Sequence, residues 1–184
     1  MLETNEKEYK YLLNDQQFQM ILSRCKGKYP FVKHIIQVNY YYDTKENLLN
    51  TEKTTVRIRQ HLSELKLQIK KHRNSNDSLF ISDEYSREIA ELPFIIRTNT
   101  ADDLLLKGSL VTDRTVFLIG QKSLICLDTN IYLGIVDYEV EVEVDEVDIS
   151  EILDAIDYLD LTSYRPIVNK SGRFFRRLEV LTCE

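Results

Sequence analysis

Apolar and polar residues alternate along much of the chain, which is the pattern of β-strands whose two faces meet different surroundings. The alternation predicts strands at 5–12, 36–43, 54–60, 64–71, 79–90, 115–122, 124–131, 135–147 and 173–181. Helical periodicity predicts helices at 16–26, 101–107 and 151–159, with the N-caps Asp15, Thr100 and Ser150 and with Gly27 and Gly108 ending the first two. The polar segment 71–78 is predicted to be a loop. We therefore expect one α+β domain over residues 1–184, built mostly from antiparallel strands with helices packed on the outside.

The polar faces of several predicted strands are charged. Glu6, Glu8 and Lys10 share one face of the first strand, and Arg57 and Arg59 share one face of another. The strand at 135–147 carries four carboxylates on one face: Asp137, Glu139, Glu141 and Glu143. Like charges two residues apart on a strand lie roughly 7 Å apart and repel, so this ladder costs stability unless cations neutralise it. For any single strand, a solvent-facing polar surface is the simpler interpretation.

The charged faces taken together favour a closed barrel with the charges inside. The apolar faces then point outward, where the helices cover them. Small barrels fill their interior with side chains or hold one ligand. An interior with both signs of charge suits an anion that brings Mg²⁺ or Mn²⁺ with it, such as a nucleotide or a polyphosphate, because magnesium binds carboxylates together with substrate phosphates.

The charged motifs also follow one another in a recognisable order. They are Glu6-Lys7-Glu8-Tyr9-Lys10, Tyr41-Tyr42-Asp43, Val56-Arg57-Ile58-Arg59, Leu65-Lys66-Leu67, Glu84 with Glu88, Arg114, Glu139-Val140-Glu141 and Lys170-Ser171-Gly172-Arg173. This series resembles the CYTH family, also called triphosphate tunnel metalloenzymes, beginning with its ExExK signature. The resemblance covers about residues 2–180.

The resemblance implies an eight-stranded antiparallel barrel that forms a tunnel. It also implies an enzyme related to inorganic triphosphatases, thiamine triphosphatases or class IV adenylyl cyclases. By the same resemblance, the metal ligands are Glu6, Glu8, Glu139 and Glu141, with Glu6, Glu8 and Lys10 as catalytic residues. The triphosphate would be bound by Lys10, Arg57, Arg59, Lys66, Arg114, Lys170 and Arg173. The roles of Glu84, Glu88, Asp137 and Glu143 stay open, and Lys70 is expected at the rim or in solvent.

Three functions fit this pattern. The leading hypothesis is metal-dependent hydrolysis of a triphosphate, with inorganic tripolyphosphate as the substrate. The first alternative is an adenylyl cyclase, and the second is a binder of polyphosphate or nucleotide without catalysis. The sequence contains no P-loop, HExxH or GxSxG motif that would point elsewhere. Replacing Glu139 with glutamine is expected to abolish activity, and the relieved repulsion would raise thermal stability.

Composition and charge limit the partners and the cellular compartment that fit this sequence. The formal charge of −6 argues against general nucleic-acid binding, because attraction to phosphate is its main non-specific term. No apolar run is long enough for a membrane span, and no secretory signal is evident. The three cysteines, Cys25, Cys126 and Cys183, are widely spaced and indicate free thiols in a reducing compartment. A cytoplasmic protein of undetermined oligomeric state is expected.

Overall fold

The computed structural model describes residues 2–73, 79–98, 102–164 and 168–182. The strands within these ranges are β1 (Leu2–Leu13), β2 (Phe31–Asp43), β3 (Thr54–His61), β4 (Glu64–His72), β5 (Leu79–Ile89), β6 (Ile95–Ile96), β7 (Leu104–Ile119), β8 (Ser123–Tyr132) and β9 (Ile135–Glu143). The α-helices are α1 (Asp15–Lys28), α2 (Leu48–Thr51), α3 (Ile149–Tyr158) and α4 (Lys170–Thr182). None of these helices combines the length and the hydrophobicity that a membrane span requires.

Eight strands close into an antiparallel barrel. Their order around the ring is β2-β3-β4-β5-β1-β9-β8-β7, and β7 pairs with β2 to complete it. The two-residue β6 adds to β7 outside this ring. The predicted α+β class, the eight-stranded barrel and the external helices are confirmed. Because strands four places apart in an eight-membered ring face each other, β1 and β9 lie opposite β2 and β3.

The largest apolar core lies outside the barrel wall. Alternate residues of β1, β7, β8 and β9 face outward and pack against α1 and α3. Ile21 and Cys25 of α1 meet Val140 and Val142 of β9 in this layer, and all four are fully buried. Burial of such side chains contributes about 1.5–3 kcal/mol each. The strands therefore place their apolar face under the helices and their charged face inside the barrel.

Helix α4 packs against one end of the barrel. Its fully buried Phe174 and Phe175 contact Tyr41 of β2 and Tyr132 of β8. Gly108 makes room for this contact: its φ is +143°, and a Cβ there would lie 3.0 Å from the Phe174 ring. The N-terminal residues of α4 are thereby held against the barrel interior.

Two predicted elements are wrong. The segment 173–181 was predicted to be a strand and belongs to α4, because Phe174 and Leu178 lie one helical turn apart and pack on the same cluster. The predicted helix at 101–107 overlaps β7 from Leu104 onward, whereas Thr100 and Ala101 lie outside the described residues. Pairing of β7 with β2 supplies its backbone hydrogen bonds and overrides the local helix preference.

The observed ends of several helices and strands differ by a few residues from the predicted ends. Helix α1 is capped by Asn14 rather than Asp15: Gln17 N–H donates to the Asn14 side chain at 2.8 Å, and Asn14 N–H donates back to the Gln17 side chain at 2.7 Å. The helix continues past Gly27 to Lys28. Helix α3 begins at Ile149, ahead of the predicted cap. Of the predicted loop at 71–78, the first two residues belong to β4, and 74–78 lie outside the described residues.

Candidate active site in the charged barrel

A wall of carboxylates forms where β1, β9 and β8 lie side by side. The register pairs Lys10 with Glu141 between β1 and β9, and Asp128 with Glu139 between β8 and β9. Oxygens of Asp128, Glu139 and Glu141 all lie within 4.8 Å of one another, and all three side chains are buried. Such a convergent set of hard oxygen donors suits Mg²⁺ or Mn²⁺. Their geometry therefore fits a divalent cation, and Asp128 is a candidate ligand that the sequence analysis missed.

Lys170, the first residue of α4, reaches into this carboxylate cluster. Its Nζ lies 2.8 Å from Asp128 and 2.9 Å from Glu141, and it also contacts Glu139. Arg173, one turn later, donates to Asp137 at 2.8 Å and to Glu139 at 2.6 Å. Both residues were predicted to bind the triphosphate, and both contact carboxylates here. Helix α4 thus supplies part of the charge that balances the acidic wall.

The first strand contributes a second set of ion pairs. Lys10 Nζ lies 2.9 Å from Glu8 and 2.7 Å from Glu141, so it joins β1 to β9. Lys70 of β4 lies 2.5 Å from Glu6 and 2.9 Å from Glu8. Lys70 is buried, which corrects its predicted place at the rim or in solvent. Close lysines hold the pKa of Glu8 well below its ordinary value despite burial, so this carboxylate stays ionised.

Arg114 of β7 is also bound to the acidic wall. Its guanidinium donates to both oxygens of Asp128 at 2.7 Å, to Glu141 at 2.5 Å and to Glu143 at 3.4 Å. Glu143 is partly exposed and has longer contacts: it accepts from Arg114 at 3.4 Å and from the Cys126 thiol at 3.5 Å. The row of carboxylates on one face of β9 is therefore largely neutralised by lysine and arginine side chains of other elements.

The opposite wall carries arginines with fewer acidic partners. On β3, Arg57 donates to Glu84 at 3.3 Å and to Gln68 at 2.8 Å. Arg59 donates through Nε to the Asn39 side chain at 3.0 Å, and within the described ranges no carboxylate lies within 4.0 Å of it. Burial, with Arg57 and Arg114 nearby, lowers the pKa of Arg59 to about 10, so it remains a cation at neutral pH. This partly buried guanidinium therefore forms no ion pair with the described residues.

Two cavities adjoin this arginine wall. Arg59 and Arg114 line both the small central cavity and a cavity of about 320 Å³ at one mouth of the barrel. Lys66 lines that mouth; it is exposed and lies 3.8 Å from Glu64. Of the two acids on β5 with open roles, Glu84 is buried beside Arg57 and Glu88 is exposed. Glu84 therefore contributes to the interior, and Glu88 lies apart from it.

At the α4 end, a polar network links the barrel to the helix. His72 Nε2 lies 3.1 Å from the Thr55 hydroxyl and 3.2 Å from the Asn169 amide nitrogen. Since an amide nitrogen only donates, Nε2 is the acceptor and the imidazole is neutral. The Thr55 hydroxyl lies 2.7 Å from that of Ser171, which ties α4 to β3. These residues line a cavity of about 570 Å³ that adjoins the central one.

Acidification is expected to weaken the fold partly through His72. Burial lowers the pKa of His72 to about 4 from an ordinary 6.5. Between these two pH values, the unfolded chain binds a proton that the native state excludes. The stability due to neutral His72 is complete above about pH 6.5 and is lost as the pH falls towards 4. Thermal unfolding at about pH 7 and about pH 5 should show a smaller loss of melting temperature in His72→Gln than in the unchanged protein. Equal losses would contradict this assignment.

The charged barrel and the order of its motifs correspond to a known family. The CYTH domain family model matches residues 4–164, which is most of the chain. The chain therefore belongs to the CYTH family, as the motifs indicated. No curated protein sequence matches it.

Solved structures share the fold at low sequence identity. A Bacillus halodurans protein proposed to be an adenylate cyclase has a TM-score of 0.72 at 22% identity, covering 95% of this chain and 100% of that one. A Hippeastrum protein, proposed as an adenylyl cyclase and described as having a dominant triphosphatase activity, has a TM-score of 0.72 at 19% identity, covering 93% and 95%. The RNA triphosphatase domain of a mimivirus mRNA capping enzyme has a TM-score of 0.57 at 13% identity, covering 84% and 88%. The TM-scores show that the fold is shared, and at such low identity the chemistry rests on this chain's own residues.

Proposed function

We propose that this protein hydrolyses a small triphosphate, with inorganic tripolyphosphate as the substrate, in a reaction that depends on Mg²⁺ or Mn²⁺. The observation that carries the proposal is Arg59, a partly buried cation without an ion pair among the described residues, on the wall opposite a convergent carboxylate cluster. A ligand that lies between these walls must present negative oxygens to Arg59 and metal-binding oxygens to the carboxylates. A polyphosphate complexed to a divalent cation does both.

The acidic wall is the proposed metal site. Asp128, Glu139 and Glu141 offer its most convergent oxygens, and a metal bound there would take the place of the Lys170 ammonium that contacts all three. Glu6 and Glu8 on β1 extend the wall. A divalent cation bound there would neutralise charge on the phosphates and lower the pKa of a water molecule. The carboxylates must stay ionised to bind it, and Arg114 holds the pKa of Asp128 far below its ordinary value despite burial.

The basic residues are proposed to hold and orient the phosphates. Arg59 and Arg57 present planar guanidinium groups, which match pairs of phosphate oxygens. Lys66 stands at the mouth, where it attracts the anion, and Lys10 lies beside Glu8 and Glu141, where a phosphoryl group would meet the acidic wall. Positioning and charge stabilisation supply most of the catalysis in phosphoryl transfer, so no covalent protein nucleophile is required.

Phosphate release from tripolyphosphate, ATP and thiamine triphosphate tests the proposal directly. With Mg²⁺ or Mn²⁺ we expect fast release from tripolyphosphate and slow release from ATP, and with EDTA we expect none, because the reaction needs the metal. Cyclic AMP and pyrophosphate formed from ATP would instead assign a cyclase. Tight binding of tripolyphosphate with no turnover would assign a binding protein.

A further inference from the structure

Several buried polar atoms in the described part of the chain have no hydrogen-bond partner. They are Tyr29 Oη, Asn39 Nδ2, Tyr41 Oη, Asn47 Oδ1 and Ser82 Oγ. Buried polar groups in native proteins are normally paired, so each exception calls for an explanation. Asn39 and Tyr41 lie two residues apart on β2, which puts both on the inner face of the barrel. The interior therefore contains unused hydrogen-bonding capacity as well as charge.

These two residues lie directly beside the arginines of β3. The strand register pairs Asn39 with Arg59 and Tyr41 with Arg57. We call these four residues the donor block. Tyr41 is fully buried and lines the central cavity together with both arginines. The donor block faces the carboxylate wall, because β2 and β3 lie opposite β1 and β9 in the ring.

The donor block offers hydrogen-bond donors and almost no acceptors. The Asn39 oxygen already accepts from Arg59 Nε, which leaves its amide nitrogen unused. Burial raises the pKa of Tyr41, so its hydroxyl keeps its proton. Arginine side chains have only donors. A group with several acceptor oxygens and no donors, such as a phosphoryl group, complements this surface.

Packing holds the Tyr41 ring in place without using its hydroxyl. The ring centroid lies 4.8 Å from that of Phe174 and 6.1 Å from that of Phe175, both on α4. A phenylalanine could make the same ring contacts, and the free protein would then lose an unpaired buried hydroxyl. The described residues give this oxygen no partner, whereas a bound phosphate would.

We propose that Tyr41 is a substrate-binding residue whose hydroxyl donates to a phosphate oxygen held by Arg57 and Arg59, and that Asn39 positions Arg59 for this contact. The inference rests on the proposed function, because it assumes that a triphosphate occupies the central cavity. Tyr41 would add a neutral hydrogen-bond donor to the predicted phosphate-binding residues, which are all lysines and arginines.

Calorimetric binding of tripolyphosphate in EDTA tests this role without requiring turnover. Tyr41→Phe should bind about tenfold more weakly, because one hydrogen bond to a charged group is lost. Its melting temperature without ligand should equal or exceed that of the unchanged protein. Tyr40→Phe is the matched control: Tyr40 is the neighbouring tyrosine on the outer face, and its hydroxyl donates to Gln60 at 3.1 Å. That variant should bind tripolyphosphate as the unchanged protein does.

The possible failures are distinguishable. If the unchanged protein binds and Tyr41→Phe binds equally well, the inference about Tyr41 is wrong and the proposed function stands. If Tyr41→Phe binds weakly and also melts at a lower temperature without ligand, the hydroxyl serves folding and the inference is again wrong. If the unchanged protein neither binds tripolyphosphate in EDTA nor releases phosphate from it with Mg²⁺ or Mn²⁺, both the inference and the proposed function are overturned. If it releases phosphate but does not bind in EDTA, the KM of Tyr41→Phe for tripolyphosphate with Mg²⁺ replaces the binding measurement, and an unchanged KM would overturn the inference.

Discussion

Replacing Glu139 with glutamine is expected to lower metal-dependent tripolyphosphate hydrolysis by roughly a thousandfold. Glu139 is fully buried and is one of three carboxylates whose oxygens converge. Glutamine keeps the shape of the side chain but removes its charge, so the site should bind Mn²⁺ more weakly. Phosphate release under saturating Mn²⁺, together with calorimetric Mn²⁺ titration, measures both effects.

The same substitution is now expected to lower stability. The sequence suggested a gain from relieved repulsion, but Glu139 accepts from Arg173 at 2.6 Å and contacts Lys170. Neutralising it leaves these cations short of a partner, at a cost of about 1–3 kcal/mol. Glu143→Gln is the control on the same strand face, because Glu143 is half exposed and its contacts with Arg114 and Cys126 are long, 3.4 and 3.5 Å. Full activity in Glu139→Gln would exclude Glu139 as a metal ligand.

Arg59→Met is expected to lower kcat/KM for tripolyphosphate by about 10- to 100-fold, because it removes charge-assisted hydrogen bonds to phosphate. The same change should leave the melting temperature unchanged or raise it. Arg59 is desolvated without a carboxylate partner in the described ranges, so its charge costs the free protein stability. If the charge of Arg59 serves only a bound ligand, its removal should lower activity without lowering the melting temperature.

Arg57→Met is the matched comparison, two residues away on the same strand face. Arg57 is held by Glu84 and Gln68, so its loss leaves a buried carboxylate without its cation and should lower the melting temperature. Steady-state kinetics and thermal unfolding of both variants separate the two arginines. If Arg59→Met keeps full activity, or if it alone destabilises the protein, Arg59 does not hold the substrate.

Much of the candidate site followed from strand alternation. Glu6, Glu8, Glu139 and Glu141 were assigned to one interior, and the structure brings them to neighbouring strands. Asp128 was missed because its strand has mostly uncharged neighbours, and a single acid among Leu127 and Thr129 gives no pattern. The signal that could have found it is its alternation with Cys126 and Asn130, which also face inward.

The sequence by itself determined the strands, the apolar face of each and the two signs of charge on their opposite faces. These properties follow from a two-residue period, which is local and is read along one strand at a time. The fold class and family were recoverable for the same reason, since the charged motifs recur on successive strands.

Only the tertiary structure decided which charges meet. Lys10 and Glu141 are 131 residues apart, and ring closure brings them to 2.7 Å. Among the described residues, the same closure leaves Arg59 without an ion pair and gives Lys70 two. Packing on Tyr41 and Tyr132 likewise made 170–182 a helix, where local alternation alone favoured a strand. Ion-pair partners and element type at such positions depend on contacts between distant segments, which no local pattern encodes.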